Sequence, residues 1–402
     1  MLRPTPLGPP GRLRTRLTIA LIAVVCGLSL ASAPVATAGP TPTVGSTATV
    51  GSTPMRFGLA YGNELLWKTD AGLAASLETA KSLGADWIRV DLPWADIQPL
   101  DSTQADWWRF DRVVAAANAR HLKIIAVLAY TPAWARPAGC KSQSCAPADV
   151  REYGRFVRKA VARYAKQGVH TWEVWNEPNS AIFWLPAPDP HAYAVMLKIA
   201  THIIRIEDPS GTILFGGLAA ERTSRPDMIS HLDFLAAVTA TGATADVDVI
   251  SFHPYTFPAL ASENGSWWTS WQTIHGRGAA QNRSIDSVLA TRGLSKPIWI
   301  TEYGAPTGGP GTASSGDLSN VLRGTDHTTE QLQARLAGDA VQTSFTDSSI
   351  QAFVWYSERD RGWSQTDTEN HFGLLRPDGT LKPSFVTLRD AAAAARGQRS
   401  RT

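Results

Sequence analysis

Cysteine is scarce in this chain, with three residues in 402, at positions 26, 140 and 145. That count excludes a disulfide-built scaffold, and Cys140 and Cys145 lack the second ligand pair a zinc site needs. Charge of one sign is scarce as well. A formal net charge of +3 is too small to mark a nucleic-acid partner. The first strand-like run, residues 55–61, carries no His-x-His, which leaves a metal-dependent barrel hydrolase without its ligands. No Gly-x-Gly-x-x-Gly follows that run either, so a dinucleotide-binding sheet lacks its fingerprint. No metal and no cofactor are therefore expected. There is also no repeat of the solenoid kind.

What is present begins with a leader. Arg12, Arg14 and Arg16 precede the apolar run Leu17 to Leu30, and Ala36-Thr37-Ala38 follows. This is the charge, apolar stretch and small-residue site of a secretory signal peptide, expected to span 1–38 and be cleaved after Ala38. An uncleaved anchor is the rival reading, because the run is near the lower length limit of a membrane span. Residues 39–54, rich in Thr, Pro, Ser and Gly, read as a flexible linker. The mature chain is expected outside the cell, secreted or wall-associated, free of the membrane after cleavage, and monomeric. With Cys26 in the leader, Cys140 and Cys145 form an even pair, which in an exported chain suggests a disulfide across a short loop. Residues 396–402 read as a disordered tail.

Tryptophan is abundant, 15 against 8 Tyr and 12 Phe. Its flat apolar face suits the C–H faces of sugars, although more than half of the set is expected in ordinary packing.

From residue 55 to 395, short apolar runs alternate with amphipathic ones. Strands are expected at 55–61, 87–91, 123–129, 171–176, 212–217, 247–252, 296–302 and 350–355. Helices are expected between them, at 71–83, 111–120, 149–166, 191–206, 228–239, 284–291 and 328–343, with a last one at 385–395. Such alternation implies parallel strands with crossover helices, and eight units make an α/β fold of the (β/α)8 TIM barrel type. Two connections are long, 256–282 with Trp267, Trp268 and Trp271, and 304–327. Both follow strands, which places them at the barrel mouth.

Two of the strands end on carboxylates. In Thr171-Trp-Glu-Val-Trp-Asn-Glu-Pro-Asn179, Pro178 stops the strand just where Asn176 and Glu177 are presented. In Lys296-Pro-Ile-Trp-Ile-Thr-Glu-Tyr-Gly304, Glu302 ends the run before Gly304. Hydrolysis of a glycosidic bond needs two carboxyls, one to protonate the leaving oxygen and one to attack or to activate water. Either glutamate alone reads as a solvated loop residue; the pair at two strand ends does not. Glu173 alternates with Trp175 along its strand and reads as a buried structural carboxylate.

Trp175-Asn-Glu-Pro178 and Thr301-Glu-Tyr-Gly304 resemble the strand-four and strand-seven motifs of clan A retaining glycosidases. Within that clan the chain most resembles glycoside hydrolase family 39, with family 5 second. Gly84-Ala-Asp-Trp-Ile-Arg89, Thr131-Pro-Ala-Trp134, Gly216-Gly217 and His253-Pro-Tyr255 share in the resemblance, which covers nearly all of residues 55–384. It implies Glu177 as general acid/base and Glu302 as nucleophile. It further implies Asn176 on the sugar 2-hydroxyl, Tyr255 on the nucleophile, and His253 near the donor sugar. Arg89 would hold the nucleophile ionised, the alternative being a structural pairing with Asp91 or Asp111. Trp355 would form the aromatic floor, with a cis peptide expected at Trp355–Tyr356. Tyr130 and Trp184 complete the expected substrate contacts. Glucan, xylan, mannan and galactan fit these motifs alike. The competing function from another class is a barrel that binds cell-wall polysaccharide without cutting it.

Overall fold

The computed structural model describes residues 55–222, 224–263, 270–276, 283–316 and 325–399. The expected leader, its cleavage point, the 39–54 linker, Trp267 and Trp268 lie outside the described residues.

The alternating apolar and amphipathic runs fold as a barrel and its helical jacket. The strands are β1 (Arg56–Ala60), β2 (Trp87–Pro93), β3 (Lys123–Ala129), β4 (Thr171–Asn176), β5 (Thr212–Ala219), β6 (Val249–His253), β7 (Ile298–Tyr303), β8 (Thr312–Ser314), β9 (Thr325–Thr328) and β10 (Ile350–Tyr356). Eight of them close in the order β1-β10-β7-β6-β5-β4-β3-β2, and all barrel neighbours pair in parallel. This is the expected (β/α)8 barrel. The pair β8 and β9 forms a small separate sheet in the connection after β7, where no strand was expected.

The helices are α1 (Glu64–Trp67), α2 (Asp70–Ser82), α3 (Trp94–Ile97), α4 (Trp108–Asn118), α5 (Val150–Tyr164), α6 (Pro190–Glu207), α7 (His231–Ala240), α8 (Ile285–Ala290), α9 (Glu330–Thr346) and α10 (Pro383–Arg399). Local chemistry sets their ends. Asp189 accepts from the backbone N–H of His191 and Ala192 at the start of α6, with Pro190 in the first turn. Ser284 and Ser287 cap each other's backbone at the start of α8. The one-turn helices α1 and α3 lack a periodic pattern long enough to show in sequence. The last helix runs on to Arg399, so residues 396–399 are helical rather than part of a disordered tail.

Two apolar layers result from the strand pleat. One lies between barrel and helices, and a smaller one fills the barrel itself, built from Ala60, Trp87, Ile125, Leu214, Val249, Trp299, Ala352 and Val354. At the N-terminal end of the strands, Trp87 and Trp299 meet edge to face at 5.8 Å. The Arg56 guanidinium covers both rings, 4.6 Å from Trp299 and 5.6 Å from Trp87. The barrel base is thus plugged. Trp87, Trp94, Trp172, Trp175, Trp184, Trp271, Trp299 and Trp355 are all buried, so packing accounts for most of the tryptophan count. Cys140 and Cys145 form the expected disulfide.

Candidate active site

At the open end, β4 breaks its own alternation. Glu173 points into the barrel, and a strict pleat would turn Trp175 inward and Asn176 outward. Trp175 instead adopts φ +75° and Glu177 φ +41°, a left-handed backbone that non-glycine residues rarely adopt. The reversal sends the Trp175 ring outward against Tyr153 of α5 and Trp184. It leaves Asn176 and Glu177 both facing the mouth. Of the four non-glycine residues with positive φ among the described residues, three (Tyr130, Trp175 and Glu177) lie at this end.

Strand β7 reaches the same result by a bulge. Its pairing with β10 advances from Ile300↔Phe353 to Tyr303↔Trp355, three residues against two. Tyr303 therefore packs outward on Phe353 and Trp355, and Glu302 is turned into the cavity. One oxygen each of Glu177 and Glu302, and one ring nitrogen of His253, lie within 4.8 Å of one another. The two carboxylates face each other across one hollow.

Arg89 organises the floor. Fully buried on β2, its guanidinium donates to both oxygens of Glu173, at 2.9 and 3.1 Å, to Asn176 Oδ1 at 2.8 Å, and to Glu302 Oε1. Asp111, the other expected partner, pairs with Arg163 instead. With Oδ1 of Asn176 occupied by Arg89, the donor end of its amide is the one available to a ligand. Tyr255 donates to Glu302 Oε2 at 2.8 Å. Burial alone would raise the Glu302 carboxyl; His253, Arg89 and the Tyr255 hydroxyl outweigh it and hold the group below its ordinary value. Glu302 is thereby kept as a carboxylate.

His253, wholly buried, stands between the two. Its Nδ1 lies 2.9 Å from Glu177 Oε1 and 3.7 Å from Glu302 Oε2, and its Nε2 lies 3.0 Å from Thr301 Oγ1. A Cβ at Gly217 would come within 2.1 Å of this ring, so glycine is required there. Glu173 is buried as expected, accepting also from the Gly217 backbone N–H at 2.8 Å. Glu177, His253 and Glu302 form the only metal-like cluster among the described residues. Glu302 already accepts from a guanidinium and a phenol, which makes the set poorly suited to a cation and well suited to proton and nucleophile chemistry.

The cavity over these groups has a volume of about 550 Å³, within the ~300–1,000 Å³ range of small-molecule sites. Asn176, Glu177, Tyr130, Tyr255 and Glu302 all line it.

The model of the cellulase family, glycosyl hydrolase family 5, matches residues 49–328. The chain belongs to glycosyl hydrolase family 5. That family belongs to clan A of the retaining glycoside hydrolases. A search of curated protein sequences finds no match. Solved structures show the same fold at low identity. A family 39 glycoside hydrolase from Bacteroides cellulosilyticus has a TM-score of 0.63 at 20% identity, over 85% of this chain and 64% of that one. A family 5 subfamily 18 enzyme from Streptomyces cattleya, solved with GlcNAc, has a TM-score of 0.62 at 18% identity, over 86% and 81%. A monomeric β-xylosidase from Caulobacter crescentus has a TM-score of 0.57 at 20% identity, over 84% and 69%. The chain thus spans less than two thirds of the Bacteroides enzyme's length.

Within this family 5 site, two expected contacts are corrected. Trp184 is 2% exposed, its ring edge-on to Trp175 and Tyr193; it supports the mouth from behind and offers no face to a sugar. Trp355 is fully buried on the helix side of β10. Since Val354 points into the barrel, the pleat sends Trp355 out and Tyr356 in, and Tyr356 lines the cavity. The non-proline cis peptide is likewise one residue later than expected, at Tyr356–Ser357.

Two cavity carboxyls were not anticipated. Asp91, two residues after Arg89 on β2, receives a hydrogen bond from Tyr130, and its pKa is pushed up to about 7, chiefly by burial. The period-2 spacing from Arg89 was the signal that places it on the inner face. Glu369, in the return after β10, accepts from the Tyr356 hydroxyl at 3.4 Å; an irregular loop gives no such signal.

Proposed function

We propose that this family 5 enzyme is a secreted retaining β-glycosidase working by double displacement on an oligo- or polysaccharide or another glycoside. Glu302, held ionised, attacks the anomeric carbon and forms a glycosyl-enzyme. Glu177 gives its proton to the departing oxygen, then takes one from the water that hydrolyses the intermediate. Asn176 bonds the sugar 2-hydroxyl, most tightly in the transition state. Arg89 and Tyr255 hold Glu302, His253 positions Glu177, and Tyr356 takes the role of aromatic floor.

The observation that carries the reading is the carboxylate spacing. One oxygen of each carboxyl within 4.8 Å agrees with the ~5–5.5 Å of retaining enzymes better than with the ~6.5–9.5 Å of inverting ones. Export and an extracellular existence remain part of the proposal, supported by the leader pattern and by the Cys140–Cys145 bond, and the chain is taken as a monomer.

The test uses activated aryl β-glycosides. Glu302→Ala abolishes turnover, while Glu177→Gln spares the first step for a good leaving group and gains a glycosyl azide product when azide is added. Turnover that survives Glu302→Ala overturns the nucleophile assignment. Sugar binding by the wild type without any turnover returns the chain to the non-catalytic reading.

A further inference from the structure

The cavity's walls differ in kind. Around β1, β2, β3 and β10 the lining is largely polar, with Asn63, Asp91, Tyr130, Tyr356, Thr368 and Glu369 beside Phe372. On the side of Glu177, where the leaving group must sit, the residues that follow the acid are Ile182 and Phe183. The turn after Glu177 folds directly back, Ser180 N–H donating to the Glu177 carbonyl and Phe183 N–H to the Ser180 carbonyl. The indole of Trp175 donates to the Phe183 carbonyl at 2.8 Å and fixes the turn. Two polar side chains of this turn are turned away from the cavity. Asn179 is fully buried, its amide joined to the backbone of Ala219 and Ile229, and Ser180 is buried too. Ile182, by contrast, is 69% exposed at the lip.

Resting on the glycosidase reading above, we infer that Ile182 and Phe183 form a leaving-group subsite for an alkyl or other apolar aglycone, so that the substrate is an amphiphilic glycoside. A sugar in that position would find no hydrogen-bond partner in these two side chains. An aliphatic chain in the same place gains by burial against both side chains. In the reaction the C1–O bond breaks as Glu302 attacks C1, and the alcohol leaves carrying the Glu177 proton. Water then displaces the Glu302 oxygen from C1, leaving its hydroxyl on C1 and returning a proton to Glu177.

The alkyl series separates contact from chemistry, because alkanols differ little in acidity with chain length. Dinitrophenyl β-glycosides of glucose, xylose, mannose, galactose and N-acetylglucosamine first identify the donor sugar. Methyl, propyl and hexyl β-glycosides of that sugar are then compared with its disaccharide. Expected is a rise in kcat/KM of about fourfold per methylene over the first few carbons, with the disaccharide below the hexyl glycoside. Ile182→Asp flattens the hexyl-to-methyl ratio and Ile182→Leu retains it; using the ratio cancels any general loss, and an unchanged melting curve confirms folding. A flat series in the wild type, a better disaccharide, or an unchanged ratio in Ile182→Asp overturns the inference alone. No turnover of any dinitrophenyl glycoside overturns the glycosidase reading, and this one with it.

Discussion

Glu302 and Glu177 end two strands of one barrel and share one cavity, with nearly equal side-chain exposure of 14% and 13%. Their neighbours differ. Glu302 receives a guanidinium and a phenol, one on each oxygen. Glu177 faces the His253 ring and receives neither. The contrast teaches that roles in a carboxylate pair are assigned by what the strands on either side deliver. Here β2 and β6 send a cation and a hydroxyl to one member, which stays charged, and bring neither to the other.

The largest test of that contrast removes the charged member. Glu302→Ala should lower kcat/KM by on the order of 10⁵-fold, the scale of losing a covalent nucleophile, measured on an activated aryl glycoside. Glu177→Gln should cost ~10²–10⁴-fold on a glycoside with a poor leaving group and much less on dinitrophenyl substrates. Equal losses on both substrates would remove the acid role. Arg89→Leu leaves Glu173 and Glu302 without their common partner. Breaking a buried ion pair from one side costs ~3–5 kcal/mol, to be read from urea unfolding. Tyr255→Phe deletes one hydrogen bond to a charged oxygen, so about a ten- to hundredfold loss in kcat/KM is expected, together with a rightward move of the acidic limb.

The smallest effect concerns Asp91, which titrates with the opposite sign to Glu302. Burial raises Asp91 to about 7 against the pull of Arg89. The stability it contributes is complete below the ordinary carboxylate value of ~4 and is lost as pH rises through about 7. Glu302 is lowered, so its contribution is present above its unfolded value and disappears as pH falls through the folded one. Asp91→Asn, which cannot titrate, should gain on the wild type by a few degrees in melting temperature between pH 4 and pH 8. A constant gap over that range would show that Asp91 does not change charge there.

The barrel was legible because its signals are periodic: apolar runs such as 123–129 are strands to the residue, and α5 follows its helical spacing. The glutamate pair was legible because Pro178 and Gly304 mark where each strand stops. The mouth's finer aim was not. It depends on the backbone reversal at Trp175 and the bulge in β7, and neither has a glycine or proline to announce it. Trp355 was misassigned for a related reason. The strand extends one residue further than its apolar run suggests, and one residue exchanges the two faces of a sheet. Trp184 follows an exposed isoleucine in a loop, and only tertiary packing against Trp175 shows that it is covered.

Among the described residues, the tryptophan and arginine stopper closes the foot of the barrel and leaves the mouth as the way in. In the proposed reaction, the alcohol released in the first step and the water consumed in the second would use the same opening, one after the other. In the proposed double displacement, water has to follow the departing group to the sugar on Glu302. An occupant that lingers at the lip therefore slows the second half of the cycle without touching a catalytic atom.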